Sequence, residues 1–234
     1  MNEPIEKYEQ GTCLLIKKPI DWTSFDLVRK IRSILKIKKI GHAGTLDPLA
    51  TGLMIICTGK ATKQIDNYIK LPKEYTGIFT IGATTISFDL ETAPENFKPY
   101  QLITTAQINE AALILKNSTT QIPPMFSAIK KNGNPLYKLA RQGIEIERPP
   151  RLINITEFII EKIELPNIYF KIHCSSGTYI RTIANDFGHL LQVGAYLSKL
   201  ERTKIGDFTL ENAISIKEFE FSKHNPFFIE KNTL

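Results

Sequence analysis

Hydrophobic spacing divides the chain into alternating extended and helical stretches. Cys13–Lys17 is a mostly apolar run that predicts a first strand. Thr23-Ser24-Phe25-Asp26 then fits a capping box, and Phe25, Val28, Ile31 and Ile34 recur at helical spacing, so a helix is expected from near Thr23. Gly41 to Gly52 reads as a loop, with Gly41, Gly44, Pro48 and Gly52 as breakers. The continuously apolar Leu53–Cys57 predicts a buried strand, Ala61–Ile69 a helix and Glu74–Ile81 a further strand. Thr105–Leu115 is amphipathic, with Ile108, Ala111, Ala112 and Leu115 on one side. In Asn167–Cys174 the alternation is strict: Ile168, Phe170, Ile172 and Cys174 face one way, and Tyr169, Lys171 and His173 the other. Thr178–Leu191 predicts a helix whose inner face holds Ile180, Ile183, Ala184, Phe187, Leu190 and Leu191. Regular βαβ alternation is absent, which points to an α/β (α+β) domain around a mainly antiparallel sheet.

Ile122 to Arg151 has another character. Pro123-Pro124 and Pro149-Pro150 bracket it, a hairpin-like turn is expected at Lys130–Asn134, and a short helix near Leu136–Arg141. Basic residues dominate it: Lys130, Lys131, Lys138, Arg141, Arg148 and Arg151 against Glu145 and Glu147. It reads as a semi-independent flap. A second basic run, RKIRSILKIKK, spans Arg29 to Lys39 with no acidic residue. The net charge of +6 over 234 residues favours a polyanionic partner, although a solvated helix face reads the same way.

With 42% apolar and 23% charged residues, an ordinary hydrophobic core is expected. Cys13, Cys57 and Cys174 lie in apolar runs without metal-type spacing, so buried, reduced thiols are expected rather than disulfides or a zinc site. The polar N-terminus lacks the pattern of a secretory signal, and no run suits a membrane span. A cytoplasmic protein follows as the expectation.

Three side chains raise chemical questions. Asp47 lies in GHAGTLDPLATG, where glycines allow close ligand approach, although Asp-Pro is also an ordinary turn dipeptide. The loop lacks the Lys-Ser/Thr ending of a phosphate-binding loop, and His42 lacks partners at metal spacing. Arg181 falls in the first turn of its predicted helix, where the macrodipole is positive, so a nearby carboxylate or phosphate is expected, with solvation at the surface as the alternative. Tyr75, in Lys73-Glu74-Tyr75, suits either packing or base stacking.

Taken in order, GHAGTLDPLATG, Gly59-Lys60-Ala61-Thr62-Lys63, Lys73-Glu74-Tyr75 and Gly177-Thr178-Tyr179-Ile180-Arg181-Thr182 closely resemble the motifs of the TruB-type tRNA pseudouridine synthases. The likeness runs from about Thr12 to Gly206. It implies the pseudouridine synthase fold, with a catalytic domain over 1–206, an RNA-binding insertion at about 123–151 and a short tail at 207–234. It also implies isomerisation of the tRNA T-loop uridine (position 55 in tRNA numbering) to pseudouridine, by base flipping and rejoining of C5 to C1′. Neither metal nor redox cofactor is implied. Asp47 is the implied catalytic carboxylate, attacking C1′ or removing the C2′ proton. Arg181 is its implied ion-pair partner, and Tyr75 stacks on the flipped base. His42, Lys63, Asp89, Lys130, Tyr179 and Leu200 are implied substrate-binding positions. Satisfied-loop and core-packing readings remain open for His42 and Leu200.

Two departures accompany the resemblance. Many relatives carry T-D-T-x-D where this chain reads Thr85-Ile86-Ser87-Phe88-Asp89, which leaves the role of Asp89 open. Bacterial relatives usually continue into a PUA domain, for which Asp207–Leu234 is too short. The T-arm of tRNA is the expected partner; no protein partner is implied, and a monomer is expected. An RNA-binding folding chaperone with secondary catalysis is the competing class. A carboxylate hydrolase is a weaker one, because no second acid accompanies Asp47.

Overall fold

The computed structural model describes residues 4–131 and 133–222. Along the chain it forms α1 (Pro4–Gln10), β1 (Cys13–Lys18), α2 (Ser24–Leu35), β2 (Ile40–His42) and β3 (Ala50–Thr58). A 3-10 turn, Gly59–Gln64, leads into α3 (Ile65–Lys70) and β4 (Lys73–Ile81). Next come α4 (Thr105–Lys116), β5 (Thr120–Gln121), β6 (Lys130–Lys131), β7 (Asn134–Pro135), α5 (Leu136–Ala140) and β8 (Arg151–Leu152). The chain continues through β9 (Ile155–Glu164), β10 (Asn167–Cys174), α6 (Ile180–Leu190), β11 (Ala195–Ile205), β12 (Phe208–Thr209), β13 (Ile214–Ser215) and α7 (Ile216–Ser222). These group into two compact units, one made of the residues up to Tyr75 with those from Leu200 onward, the other of Thr76–Lys199.

In the first unit the strand order is β13-β1-β3-β11. β1 runs antiparallel to β3 and parallel to β13, while β11 joins the start of β3 in parallel. β2 lies antiparallel along the far end of β3, and β12 along the end of β11. Leu53 to Cys57 are fully buried, as a continuous apolar run requires. Cys13, Leu15, Ala43, Ile205 and Ala213 pack with them. Cys13 and Cys57 face each other with 3.4 Å between sulfurs, unbonded, and Cys174 is likewise a buried free thiol. The expected tail therefore begins with strand and helix up to Ser222, while 223–234 lies outside the described residues.

α2 starts as expected: Thr23 caps it, and the Thr23–Asp26 capping box is complete. Its inner face is made by Leu27, Val28, Ile31 and Leu35. Phe25, expected in that face, is instead 55% exposed and carries the Arg29 guanidinium over its ring. A two-residue offset from Leu27 turns Phe25 away from the core.

The second unit orders its strands β11-β4-β10-β9, with β10 antiparallel to β9. The alternation read in β10 is reproduced: Ile168, Phe170, Ile172 and Cys174 are buried. Phe79 stacks on Phe170 at 4.1 Å between ring centroids, with Phe158 and Phe187 around them. α4 buries Ile108, Ala111, Ala112 and Leu115, as expected. α6 buries Ile180, Ile183, Ala184 and Phe187, but Leu190 is 40% exposed as the helix ends beside it. Gly77 is required here, since a Cβ would come within 2.3 Å of the Lys199 carbonyl oxygen.

The flap is an excursion closed at its base by β5 and β8, which pair Thr120 with Leu152 and Gln121 with Arg151. The expected hairpin is present as β6 and β7, and the expected helix as α5. Among the described residues, no helix is long and apolar enough to cross a membrane.

β1 ends on Lys18, which is buried at 1% exposure. Its ammonium donates to the carbonyl oxygens of Pro19 at 2.9 Å, Trp22 at 2.6 Å and Pro48 at 3.1 Å. Burial pushes Lys18 down to about 8 from 10.5, with Asp47 the largest opposing influence. The folded value lies below the unfolded one, so the folded state holds fewer protons between them. The cost of burying the ammonium is thus full below pH 8 and is relieved as the pH rises towards 10.5. Relative to Lys18→Met, the wild type should gain stability between pH 8 and 10, as measured by urea unfolding at a series of pH values. Parallel curves for the two proteins would contradict the burial of a charged amine.

Candidate active site

Asp47 lies on the connection between β2 and β3, half-buried, in a turn closed by the Ala50 amide donating to the Asp47 carbonyl at 3.1 Å. The turn reading and the chemical reading are thus compatible. Buried side chains fasten the backbone on both sides. The Ser24 hydroxyl, at the start of α2, donates to the Leu46 carbonyl at 3.0 Å and accepts from the Leu46 amide at 2.8 Å. Pro48 presents its carbonyl to Lys18 Nζ and to the Asp21 amide. Arg202 donates from Nη2 to the Gly44 carbonyl at 3.2 Å, from Nη1 to Thr45 at 3.4 Å and from Nε to Leu53 at 2.8 Å. The carboxylate therefore projects from a backbone pinned before and after it. Gly52 is obligatory at φ +110°, because a Cβ would come within 2.4 Å of the Arg202 carbonyl oxygen.

Four of the candidates belong, with this loop, to the first unit. Leu200 is buried and pairs with Ala50 in the parallel register of β3 and β11. Tyr75 is buried, and its phenol interacts electrostatically with the Arg202 guanidinium, favouring the charged form of the arginine. His42, in β2, has its imidazole lowered below the ordinary value first by burial, with a hydrogen bond at the Gly44 backbone opposing and the Arg202 charge assisting. The ring is therefore neutral at pH 7, suited to occupying space rather than to carrying charge. Lys63 stands exposed on the 3-10 turn, with no partner among the described residues.

Arg181, Asp89, Tyr179 and Lys130 belong to the second unit. Arg181 is in the first turn of α6, as expected, and is 4% exposed. Asp89 supplies an anion there, with its Oδ2 3.5 Å from Arg181 Nε. The other arms of the guanidinium donate to the Ser87 carbonyl at 3.1 Å and the Phe126 carbonyl at 2.7 Å. Asp89 Oδ1 accepts from the Glu91 amide at 2.9 Å. One arginine thus joins the Ser87–Asp89 loop to the root of the flap. Tyr179 caps α6 and is held through its backbone: Gln121 donates to its carbonyl at 3.1 Å and accepts from its amide at 2.8 Å.

Lys130 is exposed on the flap and unpaired among the described residues, as is Lys138. Arg141 is engaged by Glu91 at 2.6 Å, and Arg148 by Glu145 at 3.2 Å. The flap's basic surface is therefore partly spent on internal pairs.

Lys18, Ser24, Gln121 and Arg202 were not singled out from sequence. For Arg202 a signal existed: it falls in phase with Leu200 and Ala50-paired β11, two residues on, on the buried face. No group of three or more His, Cys, Asp or Glu able to hold a metal occurs among the described residues. The arrangement offers one carboxylate on a fastened loop, a buried aromatic ring and a neutral imidazole. Those groups suit chemistry on a planar base and its sugar.

The family described as "TruB family pseudouridylate synthase (N terminal domain)" matches residues 32–180. A protein of Flavobacterium johnsoniae named tRNA pseudouridine synthase B is 50% identical over 93% of this chain and 98% of its own length. One of the same name from Parabacteroides distasonis is 46% identical over 94% of this chain and 97% of its own. Among solved structures, a chain of "Crystal Structure of a Cbf5-Nop10-Gar1 Complex" superposes with a TM-score of 0.76 at 25% identity. That likeness covers 99% of this chain but only 62% of the other. By both the family match and these relatives, this chain belongs to the TruB family of pseudouridylate synthases.

Proposed function

We propose that this chain isomerises the T-loop uridine of tRNA, position 55, to pseudouridine, acting as a monomer in the cytoplasm with Asp47 as its catalytic carboxylate. The observation that carries this reading is the fastening of the Asp47 backbone by Ser24, Lys18 and Arg202, which leaves the carboxylate on a preorganised support. Preorganisation matters because small misplacements of a reacting group cost orders of magnitude in rate.

A uridine within a folded loop must be extruded before its glycosidic bond can be attacked. In this reading Asp47 acts at C1′ or C2′ of the ribose, the C1′–N1 bond breaks, the uracil turns, and C5 bonds to C1′ with loss of its proton. Tyr75 stacks on the base. Its burial and its electrostatic link to Arg202 support that role. His42, neutral, fills the space the base vacates, and Leu200 lines the pocket. Arg181 keeps the role of cation for the reacting carboxylate; its orientation by Asp89, Ser87 and Phe126 supports a fixed charge. In this reading Lys63 and Lys130 contact phosphates, and Tyr179 and Asp89 shape the substrate site.

Two outcomes check the reading. Incubation with a T-arm RNA followed by site-specific mapping should show pseudouridine at the T-loop uridine, and Asp47→Asn should lower the rate by on the order of 10³-fold or more while RNA affinity holds. Wild-type activity in Asp47→Asn would sink the assignment; rescue of a deletion strain by that inactive variant would favour the chaperone description. For the flap, Lys130→Ala and Lys138→Ala should each weaken T-arm binding across sequences and reduce the slope of log K against log salt by about 1. An unchanged slope in both variants would remove these lysines from the RNA interface.

A further inference from the structure

Arg202 heads the fully buried side chains by size among the described residues. No carboxylate among those residues pairs with it; it donates to three carbonyl oxygens, and the Tyr75 phenol favours its charged form. A buried cation without a counter-charge is expensive, and burial lowers its affinity for the proton while the Tyr75 hydroxyl opposes that. An apolar side chain of similar length would fill the same space but leave those three carbonyl oxygens without their donor. The charge therefore calls for a reason beyond filling volume.

Its partners supply one. Gly44 and Thr45 lie before Asp47, Leu53 lies after it, and the remaining partner is Tyr75. The β11–β3 register sets Arg202 opposite Gly52, at the exit of the same loop. Gly44 adopts φ +99°, and a Cβ there would stand 3.7 Å from Arg202 Nη1, so glycines at 44 and 52 flank the arginine's side chain and main chain.

We infer that Arg202 is a positioning residue for the isomerisation, a single planar guanidinium that sets the loop carrying Asp47 in fixed relation to the phenol of Tyr75. The inference rests on the reading given under Proposed function. A guanidinium only donates, so the Tyr75 oxygen must accept from it. The phenol proton is thereby directed away from Arg202. Lysine cannot reproduce this, because a point charge on a flexible stem does not span two limbs of a loop and a phenol at once.

The test uses Arg202→Lys, Arg202→Gln, Tyr75→Phe and the double variant Arg202→Lys/Tyr75→Phe, with single-turnover rates on T-arm RNA measured well below each melting temperature. Arg202→Lys and Arg202→Gln should lose about 10-fold or more in rate while RNA affinity stays within about twofold. The effect of Tyr75→Phe should shrink in the Arg202→Lys background, since both changes break the same contact. A purely structural arginine would instead lower the melting temperature and leave the rate of the folded protein unchanged, and that result, or full additivity, overturns the inference. If neither Arg202 variant folds, ¹⁵N spectra of arginine-labelled wild type and Tyr75→Phe decide: one guanidinium should shift, and an unshifted spectrum overturns the contact. A wild type that makes no pseudouridine would remove the functional reading itself, which separates the two failures.

Discussion

Buried backbone groups must find partners, and the connection between β2 and β3 meets that demand with side chains rather than with a neighbouring strand. Ser24 serves both the amide and the carbonyl of Leu46, Lys18 and the Asp21 amide serve Pro48, and Arg202 serves Gly44, Thr45 and Leu53. These donors come from the end of β1, the first turn of α2 and the middle of β11. Their agreement on one segment is what turns a glycine-punctuated loop into a support. Two of them are cations buried almost completely, so the unit accepts a desolvation cost to keep the segment in place.

The second unit applies the same device to its own loops. Arg181 distributes its donors over Asp89, Ser87 and Phe126, joining a loop, a flap root and a helix start through one side chain. Its cost at a positive helix end is offset by the carboxylate of Asp89. Elsewhere in that unit cohesion is apolar, with the Phe79, Phe158, Phe170 and Phe187 rings packed edge-on and stacked.

Periodicity made much of this legible. The alternation of Asn167–Cys174, the apolar run of Leu53–Cys57 and the capping box at Thr23 each became the expected element, because burial on one face or both imposes those patterns directly. Phe25 and Leu190 were misplaced because a helical spacing does not say where a face ends, and both lie at helix ends. The chemical candidates were legible as an ordered set of motifs. The residues that position them were not: Lys18, Ser24 and Gln121 bond to backbone, and such bonds leave no spacing rule in sequence. Arg202 reads as one charge among several in Glu201-Arg202-Thr203-Lys204, and only its phase with Leu200 separates it from them.

The stitching of Gln121 to Tyr179 has a consequence for how the flap varies. A side-chain amide there imitates a strand partner, accepting from one peptide group and donating to the same residue, while β5 and β8 close the excursion behind it. The excursion is then sealed at its base, with Arg181 at Phe126 and Glu91 at Arg141 as further ties. Closing a longer loop on such a base adds little entropy cost, since that cost grows only with the logarithm of length. Insertions and deletions within the excursion are therefore absorbed locally, and this is where members of such a family can diverge in length without disturbing the sheet beneath.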